Sequence, residues 1–167
     1  MKMKTKTICT LGILTALYVV MNLVLRFNVF GNVTTDFSYV IFGAAMVLLG
    51  MAGTVVGVVG VAITSTLFSA WGFSISWVVM NLIVGIGCGL TFKNGKTVRN
   101  CVLAMVFVII GIIAKTVIEY FLYGVPLAVK IPKAIICAVV DGAAMIMGIL
   151  LAECTPLRRF KGFLKES

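Results

Sequence analysis

The stretch Cys101–Glu153 reads CVLAMVFVIIGIIAKTVIEYFLYGVPLAVKIPKAIICAVVDGAAMIMGILLAE. It predicts two apolar helices, 101–123 and 131–153, each long enough to cross a bilayer, joined by a turn over residues 124–130. Lys115 and Glu119 lie deep in the first helix and Asp141 deep in the second. A charge in the hydrocarbon core is costly and persists only where it has a partner or a use. A turn centred near residues 127 and 128 would set Lys115 level with Asp141, each roughly 12–14 Å from the turn at 1.5 Å rise per residue. Glu119 falls one helical turn nearer the connection, on the face of Lys115. The expectation is a pair between Lys115 and Asp141, with Glu119 as an additional acceptor.

The rest of the chain extends this pattern. Of 167 residues, 62% are hydrophobic and 11% charged, a composition that belongs to an integral membrane protein. Further apolar segments occupy about 8–25, 37–49, 54–70 and 77–92, so the predicted fold class is all-α, a single six-helix membrane domain over 1–167. No small-residue cleavage site follows the first apolar stretch, so it reads as a span and not as a signal peptide. Ten of the fourteen basic residues lie in three places, Lys2 to Lys6, Lys93 to Arg99 and Arg158 to Lys165. That is the distribution of cytoplasmic segments, and it puts both termini inside. The net charge of +9 is therefore membrane orientation and not a nucleic-acid face.

Other chemistry is limited by what the chain contains. It has no histidine, the commonest acid–base catalyst and metal ligand. Its five cysteines form no C-x-x-C pair, so no metal site, no cofactor and no catalytic residue is expected. Gly95-Lys96-Thr97 looks like a P-loop fragment, but Leu90 stands where the first glycine belongs and no strand precedes it.

Small and aromatic residues supply further candidates. Gly12 and Ala16 lie four apart on one face of the first span, suited to a closely approaching helix from within this chain or from a partner. Gly50, Gly53, Gly57 and Gly60 mark another smooth face. Arg26 to Asp36 is a polar loop that either connects two spans or closes over a ligand. Trp71, Phe73 and Trp77 cluster at a membrane boundary, where they anchor the chain or stack on a flat ligand. With six spans, Asn81, Lys115, Glu119 and Asp141 fall in the outer half of the membrane, and Trp71, Trp77, Tyr123, Lys130 and Lys133 sit just above them. The expected binding set is Asn81, Lys115, Glu119, Asp141, Trp71, Trp77, Tyr123 and Lys133, around an outward-facing pocket. The alternative is that Lys115 and Asp141 only fix helix register.

The basic N-terminus, the run Thr10-Leu11-Gly12-Ile13-Leu14-Thr15-Ala16-Leu17-Tyr18, the stretch Ile41 to Gly50 with its glycine-spaced third span, and Ile131-Pro132-Lys133 together resemble the S components of energy-coupling factor (ECF) vitamin transporters. The resemblance covers nearly the whole chain through loose motifs. It implies a subunit in the bacterial cell membrane that captures a small vitamin-like molecule from outside. It also implies docking through Gly12 and Ala16 on a membrane coupling subunit, with ATP hydrolysed by two separate ATPase subunits and not by this chain. In that family the docking residues are typically two alanines, and here glycine replaces the first. A structural membrane protein of the rod-shape MreD type, without a ligand, is the alternative of similar size and span count.

Overall fold

The structure, a computed structural model, describes residues 5–25, 27–30, 33–35, 37–68, 72–93 and 95–154. Helices dominate because a chain this apolar must satisfy its backbone hydrogen bonds within each segment once water is excluded. In order they are α1 (Thr5–Val24), α2 (Ser38–Leu49), α3 (Thr54–Phe68), α4 (Ile75–Thr91), α5 (Thr97–Tyr123) and α6 (Leu127–Cys154). Four stretches are long and apolar enough to cross a membrane: α1, α5, α6 and the continuous segment Ser38–Leu67. The last contains α2 and α3, and α4 is a shorter apolar helix.

The segment between α1 and α2 is more ordered than a plain connector. β1 (Phe27–Phe30) pairs antiparallel with β2 (Val33–Thr35), in the register Phe27 to Thr35, Asn28 to Thr34 and Phe30 to Val33. The residue types explain it: Phe-Asn-Val-Phe and Val-Thr-Thr are aromatic and β-branched, and Gly31-Asn32 stands between them in sequence. β2 packs on α6.

Glycines set how closely neighbouring helices approach. A Cβ at Gly53 would lie 2.6 Å from the Ala45 carbonyl oxygen, and one at Gly57 would lie 2.6 Å from the Phe42 ring, so α2 and α3 fold back on each other. The reversal is a 3-10 turn at Gly50–Gly53, where Gly50 adopts φ +57°. The glycine face predicted along α3 is real, but single rings fill it. Gly57 seats Phe42 of α2 and Gly60 seats Tyr18 of α1. Tyr18, Phe42 and Tyr39 then form an edge-to-face series, with centroids 6.4 and 6.0 Å apart.

α2 also lies against α6 at backbone distance. Gly43 meets the Met145 backbone and Gly148 meets the Val40 backbone, each glycine seated on the other helix. This close packing of small residues is the usual route to helix association where hydrophobicity supplies no drive. α4 and α5 meet where Gly87 receives the Phe107 ring and Gly111 contacts Met80 and Val84. The core runs along these contacts through Phe42, Met46, Val84, Val108, Met145 and Ile149. The outward faces of α1, α4, α5 and α6 carry exposed Ile13, Leu90, Ile113, Phe121 and Ile135, the surface expected against lipid chains.

The turn joining α5 to α6 corrects the predicted register. α5 ends at Tyr123, capped by Gly124 with φ 62° and ψ 22°, whose N–H donates to Tyr120 O at 3.1 Å. α6 begins at Leu127, four residues before the predicted start. The Pro126 carbonyl accepts from the N–H groups of Val129 and Lys130, so Pro126 starts the helix and Pro132 lies inside it. The connection is 124–126, and residues whose numbers sum to about 250 face each other. Gly142, against the Met105 sulfur, shows the same register farther along the pair. Lys115 is therefore level with about Ile135. Asp141 lies about six residues farther along α6, roughly 9 Å at helical rise.

At the opposite end, Asn100 spans the α4–α5 connection. Its amide donates to Lys93 O at 2.9 Å and accepts from Lys93 N at 3.1 Å. The Gly-Lys-Thr run is held in this connector.

Candidate substrate-binding site

The polar residues that the sequence singles out converge where α4 begins, α5 ends and α6 begins. Trp77 lies in the first turn of α4, half-buried. The Lys115 ammonium of α5 sits 4.6 Å from the centroid of the Trp77 ring, in cation–π contact. One turn along α4, Asn81 is 1% exposed. Its Nδ2 donates to the Trp77 carbonyl at 3.0 Å, and its Oδ1 is buried with no hydrogen-bond partner among the described residues. A buried acceptor left empty is costly, which makes Asn81 Oδ1 a ready point for a ligand donor.

Glu119 is not paired as expected. Its Oε2 forms an ion pair with Lys130, and its Oε1 accepts from Ser76 Oγ at 3.1 Å. The register explains the switch, because Glu119 and Lys130 are level across a turn at 124–126. By the same register Lys115 and Asp141 do not stand opposite each other.

Of the predicted site residues, the structure brings Trp77, Asn81, Lys115 and Glu119 together, whereas Lys133 and Asp141 lie on α6, Asp141 about six residues beyond the level of Lys115. Tyr123 is on the last turn of α5 and is exposed, a position of membrane-interface type. Trp71 lies outside the described residues. Sequence reasoning did not assign Ser76, Ser74 or Lys130 to the site. The signal for Lys130 was present, since a shorter connection brings it beside Glu119. Ser76 could be found only from the packing of α4 on α5.

On α1, Gly12 and Ala16 are both exposed, and a Cβ at Gly12 would meet nothing within 4 Å. The face that α1 turns inward carries Leu11, Tyr18 and Asn22 instead.

Three solved structures share this fold. The crystal structure of FolT bound with folic acid aligns at TM-score 0.70 and 18% identity, covering 90% of this chain and 93% of that one. The S component for biotin of an ECF-type ABC transporter aligns at TM-score 0.68 and 16% identity, covering 92% and 91%. The S component of a bacterial ECF transporter aligns at TM-score 0.63 and 22% identity, covering 96% and 98%. At these identities the likeness concerns the fold. The profile of the ECF-type riboflavin transporter S component matches residues 2–154, nearly the whole chain. The rod-shape alternative has no support among these matches, and the chain belongs to the family of ECF-type riboflavin transporter S components, a membrane transport subunit and not an enzyme.

Proposed function

We propose that this chain captures riboflavin, or a vitamin with a similarly flat polar heterocycle, for an ECF-type importer. The carrying observation is the juxtaposition of Trp77, Lys115 and an Asn81 Oδ1 without a partner among the described residues, in a chain that the riboflavin S-component profile matches over residues 2–154. Each part suits one feature of such a ring. An indole offers a stacking face, an ammonium donates to a ring carbonyl, and an amide oxygen accepts from a ring N–H. The test is to identify small molecules released from the purified protein by mass spectrometry and to titrate the emptied protein with riboflavin. Binding tighter than about 1 μM is expected. Release of no vitamin together with no response to riboflavin would reject this reading.

In this proposal the chain makes six crossings of the bacterial plasma membrane with both termini in the cytoplasm. The distribution of basic residues supports that orientation, and the site end of the bundle then faces outward. A cysteine at exposed Ala128 should react with an impermeant maleimide added outside intact cells, and labelling only from the inside would invert the orientation.

Docking on a membrane coupling subunit, itself attached to two ATPase subunits, completes the proposal. The open face at Gly12 and Ala16 supports it, because among the described residues nothing lies within 4 Å of a Cβ at Gly12, and Ala16 is exposed. Gly12→Leu combined with Ala16→Leu is expected to leave riboflavin binding by the isolated protein within about twofold, since the changed side chains point away from the core. Uptake in cells should fall to background. Undiminished uptake would remove α1 as the docking surface.

A further inference from the structure

Both oxygens of Glu119 are committed within the protein. Oε1 accepts from Ser76, which is fully buried in the first turn of α4, and Oε2 pairs with Lys130 in the first turn of α6. Ser74, in the segment leading into α4, lies 3.1 Å from Ser76 and extends the chain of contacts. One carboxylate near the end of α5 therefore ties together the starts of α4 and α6. The ion pair is largely shielded, with side-chain exposures of 22% for Lys130 and 13% for Glu119, so it is screened less than a surface pair. Ser76 immediately precedes Trp77, and the Trp77 carbonyl in turn holds the Asn81 amide.

We propose that Glu119 is a positioning residue that sets the entry of α4, and with it Trp77 and Asn81, beneath the Lys115 ammonium, and that it makes no contact with substrate. This rests on reading Trp77, Asn81 and Lys115 as the binding site. It divides the two neighbouring charges by role. Lys115, held by a ring and by longer-range attraction, is available to a ligand, whereas Glu119, with both oxygens occupied, is structural scaffolding for the ligand-facing groups.

The chain has two tryptophans, so Trp71→Phe leaves Trp77 as the only indole reporter. In that background, acrylamide quenching of the ligand-free protein reads the seating of Trp77, and stopped-flow riboflavin binding reads affinity and dissociation. Glu119→Ala is expected to raise Trp77 quenching about twofold and to weaken riboflavin binding about tenfold, mainly through faster dissociation. Glu119→Gln, which keeps an acceptor for Ser76, should recover most of the quenching change. Adding Lys130→Met to Glu119→Ala should change affinity by less than about twofold further, because the two residues act as one unit. Unchanged quenching in Glu119→Ala overturns the proposal, as do additive effects of the two residues. Equal loss of affinity in Gln and Ala variants with an undisturbed Trp77 would make Glu119 a ligand contact and also overturn it. If Glu119→Ala does not fold, Ser76→Ala and Lys130→Met carry the same test with the same expected direction. If the unaltered protein fails to bind riboflavin, the substrate reading fails, and Trp77 quenching alone decides the positioning role.

Discussion

Gly148→Leu is expected to abolish the folded protein. A Cβ at this position would fall on the Val40 carbonyl oxygen, with the Ala44 amide nitrogen 3.0 Å away. These are backbone atoms of α2, so no side-chain rotation can relieve the clash. α2 would have to move as a unit, and it cannot do so alone. Gly43, one turn along, seats on the Met145 backbone of α6, and Phe42 between them fills the space left by Gly57. Overpacking a core usually costs about 1–3 kcal/mol when side chains can adjust. Leucine against a fixed carbonyl should exceed that, a large share of the 5–15 kcal/mol of net stability typical of folded proteins. Gly142→Ala is the matched control on the same helix, because its new methyl meets the flexible sulfur end of Met105. It should cost about 1 kcal/mol or less once the thioether rotates. The comparison is made by monodispersity and thermal unfolding of the two purified variants. A Gly148→Leu protein with unaltered melting would contradict the α2–α6 contact described here.

The helical membrane fold was legible because it depends on composition and on apolar runs, which survive small errors in boundaries. The pairing inside the site was not, because it depends on register. Leu127-Ala128-Val129 follows a proline and precedes another, and the sequence alone allows either proline to begin the helix. Choosing Pro132 in place of Pro126 moved the centre of the turn by two to three residues. In a hairpin that shift counts twice, so the partner assigned to Lys115 moved by about six residues, roughly 9 Å. The error was large enough to match Lys115 with Asp141 and to leave Lys130 out of the site, although Lys130 is the direct partner of Glu119. The membership of the cluster was more robust than its pairing. Lys115 and Glu119 reach the start of α4, at Trp77 and Ser76, whichever register α6 takes. The Asn81 reading depended least on register. An amide inside an apolar helix needs partners, and one of its atoms has none among the described residues.

Lys115→Met should fold and lose substrate. Methionine replaces the lysine stem with an apolar chain of similar length, and Glu119 retains both Ser76 and Lys130, so that carboxylate keeps its ion pair. What disappears is the ammonium over Trp77. A hydrogen bond from a charged donor to a ligand carbonyl contributes about 1.5–3 kcal/mol, so riboflavin affinity should fall by roughly 10- to 150-fold. The cation–π contact alone would not be missed on that scale, since the ligand ring replaces the ammonium as the partner of the indole. The second variant, Lys115→Met with Asp141→Leu, separates a binding role from a register role. If the two residues were only a structural pair, removing both would restore stability and affinity together. The observed register argues against that outcome, because Lys115 and Asp141 are not level, whereas the Lys115 ammonium lies over the Trp77 ring. The double variant is therefore expected to bind no better than Lys115→Met. Full affinity in a folded double variant would move the substrate away from Lys115 and leave Trp77 and Asn81 without the cation that this reading assigns to them.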